Sequence, residues 1–474
     1  MISFLLSIAI LLLGYFFYSK IVDRSFGIDE NLETPAIRLE DGVDFVGLPF
    51  WKIFLIQFLN IAGLGPIFGA VMGALWGPVA FLWIALGTVF AGGVHDYFSG
   101  MLSVRHDGAS IPEVVGMYLG KGFKIFMRGF SVVVLVLVGV VFLTGPAGLL
   151  AGLTPNHLDL NFWIYVIFIY YILATLLPID KLIAKIYPLF GVSLLIMAVG
   201  VGGGIFIGHL NGSFAIPEIT LANLHPAGLP IWPIMFVTIA CGAISGFHAT
   251  QSPMMARCIT SEKQGRAVFY GAMVAEGIVA LIWAAAAMTF FGSTGGLGTA
   301  LAESGGQGGV VSIISTSLLG KVGGVLAILG VIACPITSGD TAFRSARLTI
   351  ADVIDYDQDK IKNRLVLTIP MFVVAFGLTR INFDIIWRYF AWSNQTLAMI
   401  VLWTSAMYLA LRDQFHWIAT VPATFMTAVS ITYILVAEEG FQLAGSIAYP
   451  LGIAAAIGAL VWFLAAANKK SQES

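Results

Sequence analysis

Apolar residues gather in thirteen blocks of about 15 to 28 residues, parted by short polar stretches. The blocks are 2–18, 50–75, 78–100, 128–150, 161–178, 187–208, 231–256, 266–290, 322–343, 365–379, 384–411, 415–437 and 444–467. A membrane-spanning helix needs about 20 mostly apolar residues, so the pattern predicts an all-α polytopic membrane protein. Two blocks are not plainly apolar. In 50–75, the run Gly63-Leu64-Gly65-Pro66 follows the polar Gln57 and Asn60. In 231–256, the centre carries Gly242, Ser245, Gly246, His248, Thr250, Gln251, Ser252 and Pro253, although no Asp, Glu, Lys or Arg occurs from 219 to 256. Glycine and proline weaken helices. Backbone freed at membrane depth must be buried in protein or line a cavity. Both blocks are therefore expected to be broken helices around a solute or ion site.

The two breaks stand in mirrored positions. One lies some 13 residues into a span entered from the cytoplasm, the other about 10 residues into a span entered from outside. At about 1.5 Å per residue both approach the bilayer midplane. They open segments five spans apart and of opposite direction, which an inverted five-helix repeat requires. The expected organisation is an extra helix and loop (1–49), a first repeat (50–210), a second inverted repeat (211–411), and two added helices with a short tail (412–474). For either break alone, a glycine-rich packing face or a proline kink is the alternative.

Charge supports this layout. Of the 24 Lys and Arg residues, 21 fall in connections that are cytoplasmic if the N-terminus is outside; only Lys321, Arg380 and Arg388 lie elsewhere. This follows the positive-inside rule. Charged residues are 11% of the chain, against about 25% in soluble domains. A net charge of −2 says nothing about nucleic acid and no basic block suggests it, so no nucleic-acid partner is expected; the lipid bilayer is the expected surrounding. Cys241, Cys258 and Cys334 are scattered and form no disulfide framework. The first block lacks a basic leader and a cleavage site, so it reads as an uncleaved helix. Ser110-Ile-Pro-Glu113 reads as a capping box opening an interfacial helix. Residues 291–321, rich in Gly and Ser, read as a long external loop, either a lid or a mobile connection.

Candidate chemistry gathers around the breaks. Asn60, Gly63, Gly65, Ser245, Gly246, His248, Thr250, Gln251 and Ser252 are candidates for the solute site. Asn394 and Gln395 sit near the midplane and either line the far wall or join helices. Glu276 is a carboxyl near the midplane, a candidate proton carrier or else a structural hydrogen bond. His248 is a second titratable candidate. His95 and Asp96, placed near the cytoplasmic surface by depth, read as a gate or a helix-end pair. Arg388 is a candidate external gate. His95, His106 and His248 share no ligand-like spacing, so neither metal nor cofactor is expected beyond a coupling ion. In Thr337, Ser338 and Asp340, oxygen ligands make a hard-cation site; the alternative is an Asp340–Arg344 pair at i,i+4.

The stretches IAGLGPIFG (61–69), FAGGVHDYFSGMLSVRHDGASIPE (90–113), KIYPLFG (185–191), ACGAISGFHATQSPMMARC (240–258), CPITSGDTAFRSAR (334–347) and RYFAWSNQTLA (388–398) strongly resemble the carbon-starvation protein A (CstA) family of transporters. The resemblance implies a LeuT-like fold and uptake of small nutrients, peptides or pyruvate, at the bacterial inner membrane. It implies a sodium site at Thr337, Ser338 and Asp340, or its proton-coupled remnant. Lys185 would then stand where a sodium ion sits, unless it is a snorkelling cytoplasmic lysine.

The expected function is a secondary transporter, coupled to protons or to sodium. The half-helices starting after Gly65 and after Gly246 would offer their N-termini to a solute carboxylate. There is no GxxxxGK[ST] motif for ATP. An intramembrane hydrolase built on Ser245 and His248 is the enzyme alternative, but Ala243 replaces the first glycine of a GxSG pattern. A channel or sensor is the third reading. Nothing in the sequence sets the oligomeric state.

Overall fold

In the computed structural model the chain is helical throughout, with no strand among the described residues. The structure describes residues 1–42, 44–176, 180–358 and 360–473; side chains at 175–189, 326 and 470–473 also lie outside the description. Lys185 falls in that stretch, so its proposed role is outside the described residues.

Among the described residues, nine helices are long and apolar enough to cross a membrane, or ten if one bent pair is a single span. The predicted spans 161–178 (in its described part, to 176), 322–343 and 384–411 are also helical, and 231–256 is helical on either side of a break. Two of the reasons they stand apart are physical: 231–256 is broken, and 322–343 and 384–411 carry polar side chains in mid-helix.

Helix Ile2–Phe26 precedes a first set of five segments: the bent pair Phe50–Ile61 with Leu64–Trp76, then Val79–Arg105, Lys121–Leu153, Leu160–Leu176 and Asp180–Leu210. A second set of five follows. It comprises the broken segment 231–256, then Glu262–Phe290, Gln307–Ile354, Ile361–Leu378 and Phe383–Ala410. Trp417–Val436 and Gly445–Glu473 complete the chain. The membrane-buried core is built of the two broken segments, Val79–Arg105 and Glu262–Phe290, whose apolar windows are 83% buried in the latter two. The peripheral helix Ile361–Leu378 is only 22% buried, as expected of a helix facing lipid.

Two loop expectations change. Residues 291–321 are not a flexible connection. They form helix Thr294–Glu303, capped by the Ser293 hydroxyl, which accepts from the Gly296 N–H, and the first arm of Gln307–Ile354, which turns at Gly320 (φ 69°, ψ 178°). Glycine content hid these helices, because packing against neighbours outweighs weak propensity. The arm's Gln307 donates to Asp384 (3.3 Å), and Gly308 lies against Leu149 and Phe68. Helix Ile111–Leu119 forms as expected with Pro112 in its first turn, but Ser110 makes no side-chain cap. Glu113 is drawn instead to Lys124 and Arg128.

Candidate functional site

The first broken span unwinds over Ala62 and Gly63 and bends by 45°. Its second half starts at Leu64, two residues earlier than the sequence suggests, since Pro66 fits inside a first turn where its missing N–H costs nothing. Gly63 faces an apolar wall: a Cβ there would meet Pro335 Cγ at 3.7 Å and Phe142 Cζ at 4.0 Å. No side chain caps this half-helix, because its N-cap is glycine itself.

The second broken span stops at Thr238 and resumes at Gly246, leaving 239–245 unwound, with Gly242 at φ 94°. Its ends are held by the amide pair of Phe383–Ala410. The Asn394 side-chain oxygen accepts from the Phe247 N–H (2.9 Å), and Gln395 donates to the Phe236 carbonyl (2.6 Å). Thr88 donates to the Gly242 carbonyl (2.9 Å). Orphan backbone groups at both helix ends thus gain partners. Asn394 and Gln395 act as the tie between helices rather than as a bare cavity wall, although Asn394 Nδ2 and Gln395 Oε1 remain buried without a partner.

The two spans touch along small residues. A Cβ on Gly65 would lie 2.3 Å from Cys241 Cβ, one on Gly69 3.1 Å from the Thr238 carbonyl, and one on Gly73 2.3 Å from Ile239 Cγ1. Gly65, a candidate for solute contact, therefore has that face filled by Cys241. Gly246 is likewise committed: its Cβ would lie 2.3 Å from the Asn394 carbonyl oxygen. Gly63 alone of these three is left beside ordinary van der Waals space.

Beside the second break lies a string of ionisable groups. Asp96 bridges two histidines, with Oδ1 2.7 Å from His95 Nδ1 and Oδ2 2.8 Å from His248 Nδ1. An ionised carboxylate only accepts, so both rings present N–H at Nδ1 and leave Nε2 over. His248 Nε2 lies 3.5 Å from Glu276 Oε2. All four side chains are 0% exposed. Neither Glu276 oxygen, nor Nε2 of either histidine, has a hydrogen-bond partner. His95 and Asp96 are thus not an exposed helix-end pair: the long helix Val79–Arg105 packs them inside the protein, against His248. The signal for this string was the side-by-side His95-Asp96 pair within a glycine-rich run.

The other candidates divide. Ser252 accepts from Ser99 (3.0 Å) and donates to the His248 carbonyl, which supports the string. Thr250 and Gln251 bond locally, while Gln251 Oε1 and both polar atoms of Gln57, missed as a site residue, are buried without partners. Asn60 is 3% exposed on the last turn before the first break. Ser245 is buried at the N-cap of the second half-helix and accepts from Cys241 Sγ (3.3 Å). Thr337 bonds within its own helix, Ser338 Oγ is buried without a partner, and Asp340 has Arg344 at 3.7 Å. Arg388 is bound to Glu439 (3.1 Å) in the turn after Trp417–Val436, so the proposed gate is tied to the added helices. Among the described residues no three His, Cys, Asp or Glu side chains are grouped to hold a metal ion.

The family model described as carbon starvation protein CstA matches residues 1–155 and 148–294. An uncharacterized membrane protein of Haemophilus influenzae is 43% identical over 339 residues, covering 61% of this chain and 91% of that protein. The peptide transporter CstA of Escherichia coli is 25% identical, covering 98% of this chain and 82% of its own. The pyruvate/proton symporter BtsT of Escherichia coli is 28% identical, covering 58% of this chain; the chain spans only 47% of that protein's length. Among solved structures, a manganese transporter of Eremococcus coleocola superposes with TM-score 0.57 at 12% identity, over 91% of this chain and 99% of its own. Mhp1, a nucleobase-cation-symport-1 family transporter, superposes with TM-score 0.54 at 15% identity, over 91% and 96%. These likenesses carry the fold, which is that of the LeuT-like transporters.

Proposed function

Because the chain belongs to the carbon starvation protein CstA family, we propose that it is a secondary active transporter of the bacterial inner membrane that imports a small carboxylate-bearing nutrient, pyruvate or a peptide, by alternating access with a proton as coupling ion. The named relatives are transporters, of peptides in one case and of pyruvate with protons in another. The observation that carries the proton reading is the buried Asp96–His248–Glu276 string.

Charge in a low-dielectric core is costly unless it is paired. With Asp96 ionised and His248 protonated, one further proton on Glu276 makes this trio neutral. A solute carboxylate brings a negative charge to the same region. Solute loaded beside an ionised Glu276 would leave an uncompensated second negative charge, whereas proton and solute loaded together leave the net charge as it is in the empty site, and that is the physical basis of coupling. The uncapped N–H groups that open the half-helix Leu64–Trp76 are the carboxylate's ligands in this reading, beside Phe142 and Pro335. The repeats 50–210 and 211–411 each supply one broken span to the unit that rocks. Sodium coupling is the second reading; the partnerless Ser338 Oγ, one turn from Pro335, favours it.

The test is uptake into proteoliposomes of labelled pyruvate and, separately, a labelled dipeptide, under imposed proton or sodium gradients. Accumulation of one solute above the external level under the proton gradient alone is the expected result. Accumulation only with sodium replaces the coupling ion. Dissipative flux alone makes the protein a channel, and cleavage of the dipeptide makes it a hydrolase.

A further inference from the structure

A cavity of about 160 Å³ lies away from the breaks, lined by Leu119, Phe123, Ile400, Trp403, Ala459 and Trp462 among others. Its floor is interior, with Ile400 4% and Trp403 7% exposed. Its mouth is on the outer surface, where Phe123 is 36% and Trp462 48% exposed and their rings stand 5.9 Å apart. The buried polar side chains on its wall, Trp403 and Thr427, are taken. Trp403 Nε1 donates to Thr427 Oγ1 (3.0 Å), and Thr427 donates to the Ala423 carbonyl (2.7 Å). Such a cavity offers a water nothing to bind, and apolar cavities of about 150 Å³ take up hydrocarbon instead.

Position and charge point to the occupant. Phe123 is the third residue of helix Lys121–Leu153, at the end read as cytoplasmic, and Trp462 is in the last two turns of the C-terminal span's apolar part. Lys121, Lys124 and Arg128 fall within the first eight residues of that helix; Glu113 engages the latter two, and Lys121 is exposed. Asp352 also faces Arg128, so three cations stand against two carboxylates, and the exposed Lys121 leaves the rim positive. Basic sites on the cytoplasmic side of helical membrane proteins hold anionic lipid head groups. We propose that this cavity is a binding site for one acyl chain of an anionic phospholipid of the cytoplasmic leaflet, its head group held at Lys121.

The site bears on the broken core. Met399 and Ile400, which line it, follow Asn394 and Gln395 by little more than one turn on the same helix. A chain seated there braces the helix whose amides tie the second break. Anionic lipid should therefore both stabilise the protein and raise transport.

The experiment uses the full chain in detergent, with phosphatidylglycerol or phosphatidylcholine of identical acyl chains added, and reads the thermal midpoint. Phosphatidylglycerol should raise the midpoint by a few degrees and phosphatidylcholine by less. Ala459→Phe, which fills the cavity, should remove the phosphatidylglycerol rise while leaving the lipid-free midpoint unchanged or higher. Lys121→Gln, on the surface, should bring the two lipids level. Equal rises with both lipids in the unsubstituted protein, or a full phosphatidylglycerol rise in Ala459→Phe, would overturn the proposal. So would a change in particle mass by light scattering in Ala459→Phe, which would mark the face as a contact between copies.

Discussion

The two interruptions differ more than their mirrored places suggest. The first is a hinge of two residues, uncapped and walled at Gly63 by Phe142 and Pro335. The second is seven residues long, tied at both ends by Asn394 and Gln395, and flanked by Asp96, His248 and Glu276. One break presents bare amides to an apolar space; the other is wrapped in side-chain bonds and titratable groups. In the proposed function the contrast separates two tasks that a coupled transporter must join, holding a solute and holding a proton.

Four substitutions probe that division. The largest effect belongs to Gly246→Val, whose branched side chain would overlap the Asn394 carbonyl; overpacking here costs at least about 3 kcal/mol, so folded protein should be lost on size exclusion. A normal elution profile would show that the second break is slacker than described. Next, Glu276→Gln should cut proton-driven accumulation by about tenfold or more, equivalent to roughly 1.4 kcal/mol, while exchange between equal pools of solute persists. Equal loss of both activities would move the proton elsewhere. Asn394→Ala removes the cap on the Phe247 N–H and should lower stability by about 1–2 kcal/mol in chemical denaturation. By contrast Gly63→Ala, with no neighbour nearer than 3.7 Å, should fold normally and alter solute affinity instead. Unchanged affinity would take the first break out of the solute site.

The smallest effect lies outside both breaks and serves as a control. Burial pushes the Glu113 carboxyl up, but hydrogen bonds from Lys124 and Arg128 outweigh it and hold the group below its usual range. A depressed folded-state value means stabilisation that is present above the unfolded-state pKa and lost as pH falls through the folded one. Glu113→Gln should remove that acid-sensitive component, worth under about 1 kcal/mol for a partly exposed pair, without changing coupling. Thermal midpoints of both proteins from neutral to acid pH would check it.

Both breaks were legible from glycine and proline in apolar runs, and their inverted placement from span counting and charge. The string around Asp96 was only half legible. Glu276 and His248 stood out as polar residues at mid-span, but counting along the span says nothing of which helix face packs inward, so the burial of Asp96 between two histidines was not legible. The tie made by Asn394 and Gln395 joins residues about 150 positions apart, and no local pattern encodes such a pair. Glycine in 291–321 concealed two helices for the opposite reason, since there local propensity spoke against a conformation that tertiary contacts impose.

The stripe of Gly65, Gly69 and Gly73 against Cys241, Thr238 and Ile239 has a mechanical consequence. With the Cys241 and Ile239 side chains seated directly on two of these glycines and the Thr238 carbonyl on the third, there is no room for one segment to slide past the other. The pair must swing as one lever, so cargo is gripped between lever and frame, and a larger nutrient is accommodated by reshaping the frame.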